Sequence, residues 1–140
     1  MPLKPGMKPV EVAELFYKHL MENNREAWLE TFTAWHRDHA DVGGSSPQLY
    51  WTAGRKHVDQ LGYSYKLYKP SIFEKARLMA KAAEEMSRGH DPRRPQSKHQ
   101  EKIFFQRYTR TGEKTGYPLP IVLVRDPDSA DEWRVDFATV

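Results

Sequence analysis

Apolar residues recur at helical spacing near the start of the chain, between Pro9 and Met21. They form one stripe, and the charged side chains lie on the opposite side of the predicted helix. The stripe comprises Val12, Ala13, Phe16 and Leu20. Pro9 suits the first helical position, because its missing N–H would have no intrahelical partner there. The pattern predicts an amphipathic helix from residue 9 to about residue 21.

A second and a third helix follow in the apolar pattern. Asn23 and Glu26 are spaced as a capping-box-like pair, and the rings of Trp28, Phe32 and Trp35 then share one face. This predicts a helix that frays near residues 38–43. After a Gly-Gly-Ser-Ser break, Ser46 is a candidate N-cap and Pro47 the first residue of a helix that Gly62 ends. Its stripe comprises Tyr50, Ala53, His57, Val58 and Leu61.

The middle of the chain changes period and then returns to helix. Residues 63–69 alternate apolar and polar side chains, which is typical of a half-buried strand. Ser71 and Glu74 then form a capping box for a helix over residues 72–88, with Gly89 as its C-cap. The apolar stripe predicted to be buried on this helix comprises Phe73, Ala76, Met79, Ala80, Ala83 and Met86.

Three further strands are predicted at about residues 102–110, 119–125 and 132–139, separated by polar turns at 111–116 and 126–131. Strict alternation in the last strand puts Trp133, Val135 and Phe137 on one face. Asp136 is therefore expected on the outer face, with an ion pair to an arginine as its role. Residues 121–124 are apolar on both faces, so both faces must be covered.

Composition adds limits to this picture. The chain has 140 residues, no cysteine and a formal net charge of +3. The length predicts a flexible tail over residues 1–8 and a single domain over residues 9–140. The absence of cysteine excludes disulfides and thiolate chemistry and favours a cytoplasmic location. No apolar run approaches the roughly 20 residues that would span a membrane, so no membrane partner is predicted.

The helical pair over Pro9–Trp28 and the closing hairpin, residues 120–125 and 132–137, resemble the NTF2-like superfamily, also called the SnoaL-like or ketosteroid-isomerase-like cone. The resemblance covers roughly residues 9–37 and 102–140. It implies an α+β fold in which N-terminal helices pack into a curved antiparallel sheet. It does not imply one activity, because such a fold carries enzymes, ligand binders and interaction modules.

The resemblance also implies where chemistry would lie. Enzymes of this superfamily keep an acid or base inside the cone, with tyrosine or tryptophan binding the developing oxyanion. In this sequence His57 is the candidate base, and Tyr50 or Tyr65 the hydrogen-bond donor. Trp28, Trp35 and Tyr63 are candidate ligand-binding residues; an ordinary aromatic core is the equally good interpretation.

Two polar clusters have both a functional and a simpler structural interpretation, one at residues 36–41 and the other at residues 90–102. His36 and His39, with Asp38 and Asp41, could hold a divalent metal, but histidine is also favoured at a helix C-terminus by the dipole. The loop over residues 90–102 carries four basic side chains, which could contact nucleic acid. A solvated helix end and a solvated loop are preferred, so no metal, cofactor or nucleic acid is predicted.

The sequence therefore supports one function and two alternatives. The favoured function is binding of a small apolar ligand or a protein partner in or around the cone. The first alternative is a cone enzyme of the isomerase, dehydratase or cyclase kind with His57 as base, and the weaker alternative is nucleic-acid contact through loop 90–102. The doubly apolar strand predicts a homodimer through the outer sheet face.

Overall fold

The computed structural model describes residues 3–41, 46–88 and 99–140, except the side chains of residues 85–88. The helices and strands in these ranges are α1 (Pro9–Met21), α2 (Arg25–Glu30), α3 (Ala34–Asp38), α4 (Pro47–Leu61), β1 (Ser64–Tyr68), α5 (Ile72–Arg88), β2 (Gln100–Tyr108), β3 (Lys114–Asp126) and β4 (Glu132–Ala138). A 3₁₀ turn, Pro127–Ser129, joins β3 to β4. None of the described helices is long and apolar enough to cross a bilayer.

The strands form one antiparallel sheet in the order β1-β2-β3-β4, so each strand pairs with its neighbour in sequence. Four helices precede this sheet and one lies between β1 and β2. The predicted α+β class, with N-terminal helices packed against an antiparallel sheet, is confirmed.

The core lies between α1 and one face of the sheet. The predicted stripe of α1 is fully buried, and the Trp28 and Phe32 rings complete the helical side of the core. All four strands of the sheet contribute side chains to the core, among them Tyr65, Phe105, Ile121, Leu123 and Val135. Residues 3–8, predicted as a flexible tail, also contact this body. Leu3 and Met7 pack against the core, and the Gly6 N–H donates to the Glu132 carboxylate at 3.0 Å.

The second predicted helix is wrong in one respect, because it is two helices. The Asn24 side chain, rather than that of Asn23, accepts from the Ala27 N–H and begins α2. The chain then leaves the helix and forms a parallel bridge between Phe32 and Val135 of β4. The Val135 N–H donates to the Thr31 carbonyl at 2.7 Å, and the Thr33 N–H donates to the Val135 carbonyl at 3.1 Å. Pairing with β4 replaces the helical hydrogen bonds of this segment.

The face that α5 buries also differs from the prediction. Leu78 and Ala82 are buried against the sheet, whereas Phe73, Ala76, Ala80 and Ala83 are exposed. The side chain of Met86 lies outside the described residues. Helix α5 packs on β3, and the Lys81 ammonium lies 4.1 Å from the centre of the Tyr117 ring. The predicted stripe therefore omitted Leu78, which α5 buries together with Ala82.

Helix α5 also changes the argument for a homodimer. Residues 121–124 are apolar on both faces, as predicted, and Val122 on the second face is 0% exposed within a single chain. Phe104 and Val124 on the same face are buried too. Because this face is already buried within one chain, its burial does not require a second copy, and the sheet-face homodimer has no support in the structure.

Two irregularities in the sheet were not predicted from alternation. Strand β3 begins at Lys114 instead of residue 119, because a register shift opposite Gln106 lengthens the hairpin. The buried Gln106 amide donates to the Thr115 and Gly116 carbonyls, both at 3.1 Å, and so satisfies them. Gly116 has φ +73°, a conformation that glycine adopts readily.

The second irregularity makes the predicted position of Asp136 wrong. Val122 pairs with Phe137 and Leu123 with Val135, so Asp136 is the extra residue of a β-bulge. The bulge breaks the alternation, and Asp136 is only 7% exposed rather than on an open outer face. Its Oδ1 lies 3.3 Å from Nε2 of His36.

Candidate functional site: a groove between α1 and β1

An open groove of about 600 Å³ lies between α1 and β1, the first strand of the sheet. This volume is within the range of small-ligand sites, roughly 300–1,000 Å³. The lining residues come from the segment before α1, from α1, from β1 and from β2. They are Met7, Glu11, Glu14, Leu15, Tyr17, Lys18, Met21, Tyr65, Lys66, Leu67 and Phe105.

The floor of the groove is aromatic and rigid. The Tyr17 ring stacks on Tyr65 with 4.8 Å between ring centres, and it lies 4.3 Å from Phe105. The Tyr17 hydroxyl donates to the Thr139 carbonyl at 2.8 Å, which fixes the ring. These rings belong to the core, so the groove is built directly on the most closely packed part of the molecule.

The α1 wall arises from helical spacing. Glu11, Glu14, Lys18 and Met21 follow one another at intervals of three or four residues, so they lie along one side of the helix. Leu15 lies beside them and is buried. The wall is therefore apolar near the floor and carries two carboxylates and one ammonium toward solvent.

Two phenols provide the buried polar atoms of the groove. Burial raises the pKa of Tyr17 well above its usual value, and burial likewise raises the pKa of Tyr65 to about 12. The Tyr65 side chain is almost completely buried, and its hydroxyl has no hydrogen-bond partner among the described residues. Both phenols remain neutral at physiological pH and can donate a hydrogen bond.

The β1 wall is the open edge of the sheet. Among the described strands, β1 pairs only with β2, from Ser64↔Tyr108 to Tyr68↔Phe104. Within the described part of the chain, no backbone hydrogen bond outside the sheet involves residues 64–68. In a two-sided strand, half of the N–H and C=O groups point to the neighbour and half point away. Among the described residues, the groups of β1 that point away from β2 therefore have no backbone partner.

Of the three predicted catalytic residues, only Tyr65 lines the groove. His57 lies on α4, and its Nδ1 is 3.0 Å from the main-chain oxygen of Val140. Burial, and then the nearby Arg107 guanidinium, lower the pKa of His57 below 6.5. Tyr50 packs against the Phe32 ring, with 6.3 Å between ring centres. The structure therefore does not bring His57, Tyr50 and Tyr65 together at the groove.

None of the predicted ligand-binding aromatics lines the groove either. Trp28 is fully buried and packs edge-on against Phe32 at 4.8 Å. Trp35 stacks on His39 at 4.2 Å, and Tyr63 lies under the Arg107 guanidinium at 5.5 Å. Helical spacing identified Trp28 and Trp35, and alternation placed Tyr63 in a strand, but neither pattern could separate core positions from pocket positions.

A buried His–Asp pair was missed by the sequence analysis. His36 is buried, and its Nε2 lies 2.8 Å from the Asp136 carbonyl oxygen and 3.3 Å from Oδ1 of the same residue. The pair joins α3 to the bulge of β4 and is remote from the groove lining. No sequence signal indicated it, because residues 36 and 136 meet only through the bulge.

The cluster at residues 36–41 lies within the described residues, whereas most of the basic loop does not. Among the described residues, no group of three or more histidine, cysteine, aspartate or glutamate side chains could hold a metal ion. His39 instead stacks on Trp35, and its Nδ1 lies 2.8 Å from the Trp35 carbonyl oxygen. Most of loop 90–102 lies outside the described residues, and its last three residues belong to β2.

Neither a protein-family model, nor a curated protein, nor a solved structure matches the chain. The groove between α1 and β1 is therefore the feature that bears on the function of the chain.

Proposed function

We propose that the chain is a non-catalytic, NTF2-like binding domain whose α1–β1 groove takes an apolar ligand. The observation that carries the proposal is the groove itself, with its ring-lined floor and its apolar lower walls. Apolar lining with a small number of polar groups is the usual chemistry of a ligand site. The NTF2-like resemblance agrees with a helix-and-sheet site of this kind.

Binding is favoured over catalysis by the ionisable groups that the groove contains. Its carboxylates, Glu11 and Glu14, are exposed on α1, and its ammonium groups belong to Lys18 and Lys66. A general base must lie within hydrogen-bond reach of the proton that it removes. The enzyme alternative with His57 as base thus finds less support, because His57 does not line the groove.

A solvatochromic dye tests the proposal. Nile red is neutral and apolar, so its fluorescence should rise saturably with one dye per chain. Leu67 lies on the groove and is 38% exposed, so Leu67→Glu introduces a charge without disturbing the core. Leu61 on α4 is 47% exposed and outside the groove lining, which makes Leu61→Glu the matched control.

We expect Leu67→Glu to weaken dye binding at least tenfold and Leu61→Glu to leave it unchanged. The tenfold weakening corresponds to about 1.4 kcal/mol, which is modest for a charge placed against apolar surface. Urea unfolding of both variants verifies that each remains folded. Absence of saturable binding, or equal effects of the two variants, would refute the groove as the binding site.

A further inference from the structure

The groove lies beside strand β1, which ends the sheet in the described part of the chain. We propose that its occupant is an extended polypeptide segment of a partner protein, which adds to the sheet beside β1 as a fifth strand. The inference rests on the proposed function and specifies the ligand class. Strand addition of this kind draws affinity from main-chain hydrogen bonds and specificity from alternate side chains.

The backbone of β1 supplies the first part of the recognition. Strand β1 ends the sheet, and the described backbone hydrogen bonds outside the sheet do not use residues 64–68. A small apolar molecule would leave these N–H and C=O groups to water. An extended peptide would pair with them and simultaneously cover the apolar floor, so it satisfies both features of the groove.

The dimensions agree with a short extended segment. The helical part of the α1 wall runs from Glu11 to Met21, which is about 15 Å at the rise of an α-helix. An extended chain covers that length in about five residues. Strand β1 itself has five residues. The wall, the strand and the proposed segment therefore match in length.

The side-chain chemistry of the groove indicates which peptide would fit. Alternate side chains of an added strand would face the core side of the sheet, where Tyr17 and Phe105 form the floor. These positions should be apolar. Glu11 and Glu14 lie on the N-terminal half of the α1 wall, Lys18 lies farther along it, and Lys66 lies on β1. A lysine or arginine would therefore be favoured at the end of the segment beside the two carboxylates.

A second copy of the chain fits the same edge less well. Twofold pairing of β1 with itself about its central residue would set Lys66 directly opposite Lys66 of the other copy. Like charges at directly opposed positions destabilise an antiparallel pair. Lysine on an edge strand is also a common protection against self-association. A heterologous peptide avoids this repulsion.

Backbone methylation gives a test that apolar binding alone cannot pass. A hexapeptide library with apolar residues at alternating positions, and Lys, Arg, Thr or Ser between them, is selected against the full chain. The tightest member is then made as two isomers, N-methylated either at its odd or at its even residues. In an added strand only one of these amide sets faces β1.

We expect one isomer to lose at least tenfold in affinity while the other binds like the parent peptide. Leu67→Glu should abolish parent binding, and Leu61→Glu should not. Equal binding of the two isomers, or a library without any binder, would overturn strand addition. If Nile red still bound in that case, the groove would stand as an apolar site, so the two proposals fail separately. A dimer that forms without peptide and is abolished by Leu67→Glu would overturn the inference in favour of a second copy.

Discussion

Two stacked tyrosines in the groove floor should respond in opposite ways to loss of their hydroxyl groups. Tyr17 and Tyr65 have ring centres 4.8 Å apart, and both belong to the buried core. The Tyr17 hydroxyl donates to the Thr139 carbonyl at 2.8 Å. The Tyr65 hydroxyl is buried and has no partner in the described part of the chain. Tyr→Phe removes one oxygen from each ring and leaves the stacking intact.

The expected magnitudes follow from hydrogen-bond energetics. Tyr17→Phe removes a bond with a net value of about 1 kcal/mol and leaves the partly buried Thr139 carbonyl without that donor, so we expect a loss of about 1–2 kcal/mol. Tyr65→Phe removes a polar atom whose desolvation no bond offsets. It should therefore leave the free energy of unfolding unchanged or raise it by up to about 1 kcal/mol.

Urea unfolding followed by tryptophan fluorescence measures both effects, since Trp28 is fully buried in the core. The midpoint for Tyr17→Phe should fall by about 0.5–1 M, and that for Tyr65→Phe should stay or rise, with unchanged slopes. The double variant tests whether the two effects add, because contacting residues can couple. A loss above about 1 kcal/mol for Tyr65→Phe would show that its hydroxyl is bonded, and the reasoning would be wrong.

Three further predictions use the same unfolding assay. Val122→Lys should cost at least about 3 kcal/mol, because position 122 is 0% exposed. Phe73→Lys on the 93% exposed start of α5 should change stability by no more than about 0.5 kcal/mol. A Val122→Lys variant as stable as the parent chain would contradict the burial of this position. Asp136→Ala should cost about 0.5–1.5 kcal/mol, because it removes a buried carboxylate that lies 3.3 Å from His36 Nε2, whereas the main-chain oxygen of residue 136 keeps its 2.8 Å contact with that nitrogen. Asp38→Ala, at an exposed site, serves as the control. The pKa of His57 is lowered from 6.5 in the folded chain, so the unfolded chain binds the proton first and stability should fall as the pH drops from about 6.5 to the folded pKa. His57→Gln should remove that slope, and an NMR titration midpoint at or above 6.5 would contradict it.

Local signals in the sequence were sufficient for most of the helices. Pro9, Pro47 and the capping box at Ser71 mark the first turns of α1, α4 and α5, and the bounds of these helices agree with the prediction. Capping depends on residues within one turn, so it can be predicted without tertiary information. Alternation of apolar and polar residues, together with the flanking turns, predicted the ends of β1 and β4 to within one residue.

Features that depend on long-range pairing were not predictable in this way. The break between α2 and α3 exists because Thr31 and Thr33 bond to Val135, about a hundred residues away. The position of Asp136 depends on a bulge that alternation cannot reveal. The buried face of α5 is decided by the sheet beneath it, so its own amphipathic pattern selected the wrong stripe.

The candidate site also combines residues that local patterns predict with residues whose role depends on tertiary structure. Tyr65 was identified because alternating rings mark a half-buried strand, and the structure places it in the groove lining. Glu11, Glu14 and Lys18 were assigned to solvent from the pattern of α1 alone. Their role as a wall follows only from the distance between α1 and β1, which no local pattern contains.

The bridge between Phe32 and Val135 has a consequence for stoichiometry. At β4, the carbonyl of Val135 accepts from Thr33, and the carbonyl of Asp136 contacts His36. For a fibril to grow by strand addition, each molecule needs two open sheet edges. One edge pairs with the preceding molecule and the other pairs with the next. In the described part of the chain, residues 31–33 already bond to the middle of the β4 edge, and no strand lies on the outer side of β1. Strand addition at this sheet should therefore stop after one step, giving a one-to-one complex and not a polymer.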